Sequence, residues 1–217
     1  MSKISLIKNE EATTAMPRTK KQFEKMRSAT RDKIQSAAMH LFVHQGYGST
    51  NVQQIADVAG ISIGLLYRHY KNKEVLFHEL VDFAMAGLQA VVDSFRTGDS
   101  PKKQLEQFVK EIYSDLSTSD DLANLMVLMT QSFFSGGASQ KHHEIVGLNQ
   151  QMLEATADLI KRGQEKNEFK EGPPDEMAMH FFSTIQGLAI MKMTLKERFI
   201  MPSVQIIIAG LSKEGEK

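Results

Sequence analysis

From about residue 30 onward, apolar residues recur at three- and four-residue spacing, and glycine or proline cuts the runs, so the chain reads as a succession of amphipathic helices. Ile34, Ala37, Ala38, Leu41 and Phe42 stripe a first helix from about Thr30 to Gln45, with Gly46 as its stop. The next stretch, Asn51 to Lys73, reads as two short helices joined by a tight turn. Val52, Ile55, Ala56 and Ala59 share one face, and Ala56 is small enough to let a second helix cross closely. Gly60 ends the first helix, where a glycine can take the left-handed conformation that closes a helix and Ile61 can fold back as an apolar plug, and Ser62 restarts the chain as an N-cap. The second helix, from about Ile63 to Tyr70, buries Leu66 and Tyr70. It leaves Gln53, Ile63, Gly64, Leu65, Tyr67, Arg68 and His69 on the outside, where a DNA groove would meet them.

A long helix begins at Lys73 and runs to Arg96, with Phe77, Leu80, Val81, Ala84, Leu88, Val91, Val92 and Phe95 in one stripe. Its front packs on the two short helices and its rear on whatever follows, so it is expected to act as a lever. Ser100 and Pro101 open a fifth helix striped by Leu105, Phe108, Val109, Ile112 and Leu116; Leu122, Leu125, Met126, Met129 and Phe133 stripe a sixth. After a break at Ser135 to Ser139, Ile145, Leu148, Met152, Leu159 and Ile160 mark a seventh, expected to end near Phe169. Two more follow, from about Asp175 to Arg198 and Ser203 to Leu211. These last two are apolar over more than one face, through Phe181, Phe182, Ile185, Leu188, Ala189, Ile190, Met193 and Leu195 and through Val204, Ile206, Ile207, Ile208 and Leu211, which implies a second buried surface. No segment sustains strand alternation. The expected fold is all-α, about nine helices, with a three-helix helix-turn-helix domain ahead of a larger helical ligand-binding and dimerisation domain.

Composition narrows the chemistry. The 217 residues suffice for two cores, and the absence of cysteine removes disulfides, zinc fingers and thiol nucleophiles. The lack of a signal peptide and of a long uninterrupted apolar run leads us to expect a cytoplasmic protein with no membrane partner. Net charge is zero but unevenly spread: residues 1 to 80 hold 12 Lys+Arg against 7 Asp+Glu, and the remainder 14 against 19. The positive end coincides with the two short helices, as attraction to phosphate requires. Arg18, Lys20, Lys21, Lys25 and Arg27 form a basic arm in a polar segment expected to be disordered, either a solvated tail or an arm along the duplex.

The residues Ile55, Ala56, Ala59, Gly60, Ile61, Ser62, Gly64, Leu66, Tyr67, His69, Tyr70, Lys73 and Leu76 resemble the DNA-binding motif of the TetR family of bacterial transcriptional regulators. The resemblance covers about Ser28 to Leu88; beyond it only the helical layout matches. It departs at Asn51, where the family usually has threonine, although asparagine still caps a helix. With the arm taken as 1–27, the resemblance implies a DNA-binding domain over 28–88 and a ligand-binding and dimerisation domain over 89–217. It implies a homodimer through the last two helices, about 175–211, paired as a four-helix bundle, with Gly187 or Ala189 allowing close approach. Function follows as a ligand-responsive regulator: a repressor on a palindromic double-stranded operator, with activation as the alternative within that class.

Phosphate contacts are expected from Thr50, Asn51, Ser62, Tyr67, His69 and Lys73, and base contacts from Gln53, Ile63, Gly64, Leu65 and Arg68. A small apolar or amphipathic effector is expected in a pocket between the fourth and seventh helices, lined by Phe95, Phe108, Ile112, Met126, Met129, Phe133, Phe134 and Met152; ordinary core packing is the competing reading of that set. Catalytic, cofactor and metal readings find little support. His142 and His143 point to different sides of a helix, and His40 and His44 share a face without a third ligand nearby in sequence. No phosphate loop, GxSxG or HExxH is present. A helical adaptor binding only protein leaves Tyr67, His69 and Lys73 around the second short helix unexplained.

Overall fold

The computed structural model describes residues 20–98, 100–135 and 140–213. Among these residues there are nine α-helices and no strand: α1 (Lys20–Gln45), α2 (Val52–Ala59), α3 (Ile63–His69), α4 (Lys73–Arg96), α5 (Pro101–Thr118), α6 (Asp121–Ser135), α7 (Gln140–Glu165), α8 (Pro174–Leu195) and α9 (Val204–Ile208). The expected all-α fold is present, with four boundaries displaced.

Helix α1 begins at Lys20, ten residues ahead of the sequence expectation. Lys, Gln, Glu, Met and Arg dominate residues 20–27, and all are strong helix formers with no glycine or proline among them. The part of the basic arm from Lys20 to Arg27 is therefore helical, which corrects the disordered reading there; Arg18 and the rest of the arm lie outside the described residues.

Helix α7 stops at Glu165, short of Phe169. Asn167 takes φ 61, a left-handed conformation that asparagine tolerates, and the amides of Glu168 and Phe169 both donate to the Gly163 carbonyl, at 2.7 and 3.2 Å. The chain thereby doubles back, and the Phe169 ring lies over Gly163 so closely that a Cβ at that position would collide with it. The amide of Lys170 then donates to the Leu211 carbonyl, tying this corner to the residues after α9. At the end of α8, Lys196 to Arg198 form a single 3₁₀ turn, and α9 is shorter than expected.

Two apolar cores result. One holds Ile34, Ala38 and Phe42 of α1, Ile55 and Ala56 of α2, Leu66 and Tyr70, and Leu76 and Val81 of α4. The other runs from Val92 and Phe95 through α5 and α7 to Phe181, Ile185 and Ile207. Helix α4 contributes its first half to one core and its second half to the other, as the unbroken stripe requires. Leu128 and Met129 of α6 and Ile145 of α7 also enter the first core, and the side-chain amide of Gln131 donates to the Val43 carbonyl at 3.1 Å. The body therefore grips α1 directly as well as through α4.

Candidate nucleic-acid interface and effector cavity

The local geometry of α2 and α3 follows from their caps. Asn51 accepts from the Gln54 amide at 2.9 Å while Gln54 Oε1 accepts from the Asn51 amide at 2.8 Å, a reciprocal box that fixes the start of α2. Gly60 has φ 66, and the Ile61 amide donates back to Ala56 at 3.0 Å, so the chain turns sharply. Ser62 Oγ then accepts from the Leu65 amide at 3.2 Å and starts α3. Leu66 and Tyr70 are buried between α3 and its neighbours, which leaves the other face of α3 outward.

On that face Ile63, Gly64, Arg68 and Tyr67 are exposed, while Leu65 and His69 are half-buried. Tyr67 is the largest of them at 51%. Gln53 is exposed on α2 and donates to Asp57 at 2.7 Å, so its amide must leave that carboxylate to read a base. Burial and the charges of Arg27 and Arg31 hold His69 below the ordinary imidazole value.

Two expected contacts take a different place. Thr50 is buried, and its hydroxyl donates to the Gly46 carbonyl at 2.9 Å, so the side chain closes the α1–α2 loop and is not available to a phosphate; its position between a glycine turn and a helix cap explains the burial. Lys73 Nζ donates to the carbonyls of Tyr47 and Thr50, each at 2.8 Å, and stands 4.4 Å from the centre of the Tyr47 ring. An ammonium has three donors, so one N–H remains for an external anion. The lysine is first of all a tie between the start of α4 and the loop before α2.

A second tie went unnoticed in the sequence. Tyr70 donates to Glu79 Oε1 at 2.9 Å, Arg31 Nε reaches both Tyr70 Oη at 3.1 Å and Glu79 Oε1 at 3.0 Å, Arg31 Nη2 pairs with Glu79 Oε2, and the Gln35 amide donates to the same carboxylate. Burial and the neighbouring Glu79 push the Tyr70 hydroxyl up to about 12. Burial also raises Glu79, but the hydrogen bonds from Arg31 and Tyr70, the Arg31 charge and the Gln35 bond outweigh it and hold the carboxyl below its ordinary value. These residues join α1, the end of α3 and α4, and only their partners in space mark them.

Above this unit, α4, α5, α6, α7 and α8 enclose a cavity of about 360 Å³. Phe108, Ile112, Met126 and Met129 line it as expected. The other four expected residues do not. Phe95 and Met152 are core, Phe95 meeting Phe108 edge to face at 5.2 Å; Phe133 packs toward the first core; Phe134 is 87% exposed. Helical spacing alone does not separate a cavity wall from a core contact. The sequence reading also left out α8, which supplies Phe182, Ile185 and Gln186, and the walls given by Leu88, Val91, Leu122, Leu125 and Asn149.

Along α8 and the residues after it, Met179, Ile190, Met191, Leu195, Ile200 and Ile206 stay exposed. Phe181, Ile185, Ala189, Ile207, Ile208 and Leu211 are spent in the subunit's own core, so Ala189 does not offer the close approach expected of it; Gly187 is half-buried with open space beside its Cα.

Residues 34–80 match the family model described as "Bacterial regulatory proteins, tetR family". The uncharacterized HTH-type transcriptional regulator YvkB of Bacillus subtilis (strain 168) is 26% identical over 199 residues, which take in 85% of this chain and 98% of that protein. The HTH-type transcriptional repressor KstR2 of Mycolicibacterium smegmatis is 34% identical over 82 residues, 36% of this chain and 38% of that protein. The crystal structure of the MbdR regulator from Azoarcus sp. CIB superimposes with a TM-score of 0.69 at 21% identity, covering 85% of this chain and 100% of that one, so the two share a fold.

Proposed function

We infer, for a chain that belongs to the TetR family of bacterial regulatory proteins, that it is a ligand-responsive transcriptional repressor which leaves its operator when a small apolar or amphipathic molecule enters the cavity. The observation that carries the reading is the double duty of α4. Its first turns hold the DNA-reading unit through Lys73 and Glu79, and its later turns, at Leu88 and Val91, form a wall of the cavity. A guest that prefers a tilted α4 thus changes the position of α3. Moving a population from mostly competent to mostly incompetent takes about 5.5 kcal/mol of differential affinity, so tight binding without preference for one state releases nothing.

The DNA contacts proposed are Asn51, Ser62, Tyr67, His69 and the remaining donor of Lys73 for phosphates, with Gln53, Ile63, Gly64, Leu65 and Arg68 on base edges. One such helix reads few base pairs. Two related by a twofold axis read half-sites about 34–36 Å apart or somewhat more, so the operator is a palindrome and the active species a homodimer. The exposed apolar residues of α8 and the segment after it, Met179, Ile190, Met191, Leu195 and Ile206, support placing the dimer contact there. The protein acts in the cytoplasm, where bacterial DNA is.

The test is selection of bound fragments from sheared host DNA at physiological ionic strength, with the oligomeric state measured alongside. The expected result is a short palindromic site bound by a dimer far more tightly than random duplex. A monomer, or equal affinity for every duplex, overturns the reading.

A further inference from the structure

Resting on the reading of the cavity as the effector site, we propose that the molecule it takes is an amphipathic cation, an apolar body carrying an amine or quaternary ammonium. The walls are apolar, with Phe108 and Phe182 presenting rings and Met126 and Met129 polarisable sulfurs. Its ionisable lining residues are Glu111 and Asp115, two acids with no lysine, arginine or histidine among the described lining. They stand four residues apart on α5, hence on one face, and both are exposed. Neither is in an ion pair among the described residues. Glu111 Oε1 accepts from the Gln107 amide at 2.8 Å, and the neighbouring Lys110 is engaged with Glu106 at 3.8 Å.

This arrangement selects charge sign. Carboxylates beside a low-dielectric hollow concentrate the field there, drawing cations and repelling anions. An ammonium is further favoured by the negative faces of aromatic rings, and thioethers adapt to an irregular apolar body. A carboxylate-headed amphiphile would set its charge against both acids. A neutral one would gain the apolar contact alone.

Three probes of equal tail length, dodecylamine, dodecanol and dodecanoate, titrated below their aggregation concentrations at pH 7 and read by calorimetry and thermal shift, test this. Dodecylamine is expected to bind about tenfold more tightly than dodecanol, each exposed carboxylate contributing a modest pair interaction, and dodecanoate most weakly. In the Glu111→Gln/Asp115→Asn variant the amine-to-alcohol ratio falls severalfold, to what the aromatic rings alone supply. In the unaltered protein the ratio also shrinks as salt is raised, a measurement independent of whether that variant folds. Dodecanol or dodecanoate binding as well as the amine, a variant that keeps the preference, or no binding by any of the three overturns the proposal. Operator selection without amphiphile reads the regulatory function separately. A specific operator with no amine preference removes the ligand class and leaves the regulator, whereas amine preference without operator binding does the reverse.

Discussion

The hydroxyl of Tyr70 donates to Oε1 of Glu79 across 2.9 Å, joining the residue that caps α3 to the second turn of α4. Tyr70 is only 2% exposed while the Glu79 side chain is 28% exposed, so this bond fixes α3 on α4 at the edge of the core.

Glu79→Gln keeps an acceptor for Tyr70 but removes the charge that Arg31 meets, and is expected to cost about 1 kcal/mol, or about 2–4 °C in Tm, at pH 7. The pH dependence has a definite sign. The folded carboxyl is held below its ordinary value, so its contribution is present above the unfolded value and is lost as pH falls through the folded one. The difference in Tm between parent and variant, followed by circular dichroism, should therefore close on acidification below about pH 4.3. A difference constant with pH would show that the charge is not what stabilises.

Tyr67 and Lys73 separate a reader from a tie. Tyr67 is exposed, and removing its hydroxyl in Tyr67→Phe should leave Tm unchanged while weakening operator binding about fivefold, the worth of one hydrogen bond. Lys73→Met should lower both Tm and affinity, because two internal hydrogen bonds are lost with the charge. It should also flatten the slope of log K against log salt by about one unit per contacting subunit. An unchanged slope would make Lys73 purely structural.

His69 provides a proton readout. Burial and the two nearby arginines favour the neutral ring in the free protein, while a phosphate beside it favours the charged one. Operator binding should then take up protons, and affinity should rise as pH drops from 7.5 toward 6, by up to about tenfold per unit pKa shift per subunit. Fluorescence anisotropy of the parent and of His69→Gln decides it, the variant being flat across this range. Equal pH profiles would place His69 away from phosphate.

Ile190→Glu and Ile206→Glu introduce charge on residues that stay exposed in the single subunit, so the fold should persist while the dimer dissociates. Light scattering should report monomers, and operator affinity should drop about a hundredfold or more as the second half-site is lost. Variants that remain dimeric would move the subunit contact elsewhere.

What the amino-acid order determined by itself is local. Gly60 and Ser62 set a turn, the periodic apolar residues drew nearly every helix, and the outward set on α3 was readable because helical spacing fixes which side chains share a face. The spacing could not say how far a helix continues past its stripe, which is why α1 was drawn short. It also missed that α7 ends where Asn167 turns Phe169 back over Gly163. Tertiary structure alone decided which partner each face meets. Thr50 lies next to the motif and is nonetheless buried. Lys73, expected on a phosphate, is also a tie between α4 and the loop before α2, and Arg31, Gln35 and Glu79 acquire a role only when α1 and α4 come together. Cavity and core use the same leucines, phenylalanines and methionines at the same period, so only the arrangement of α4 to α8 could separate Met126 from Met152. The physical reason is one of range: capping and periodicity act within about a turn or two of helix, whereas burial depends on neighbours far away in the chain.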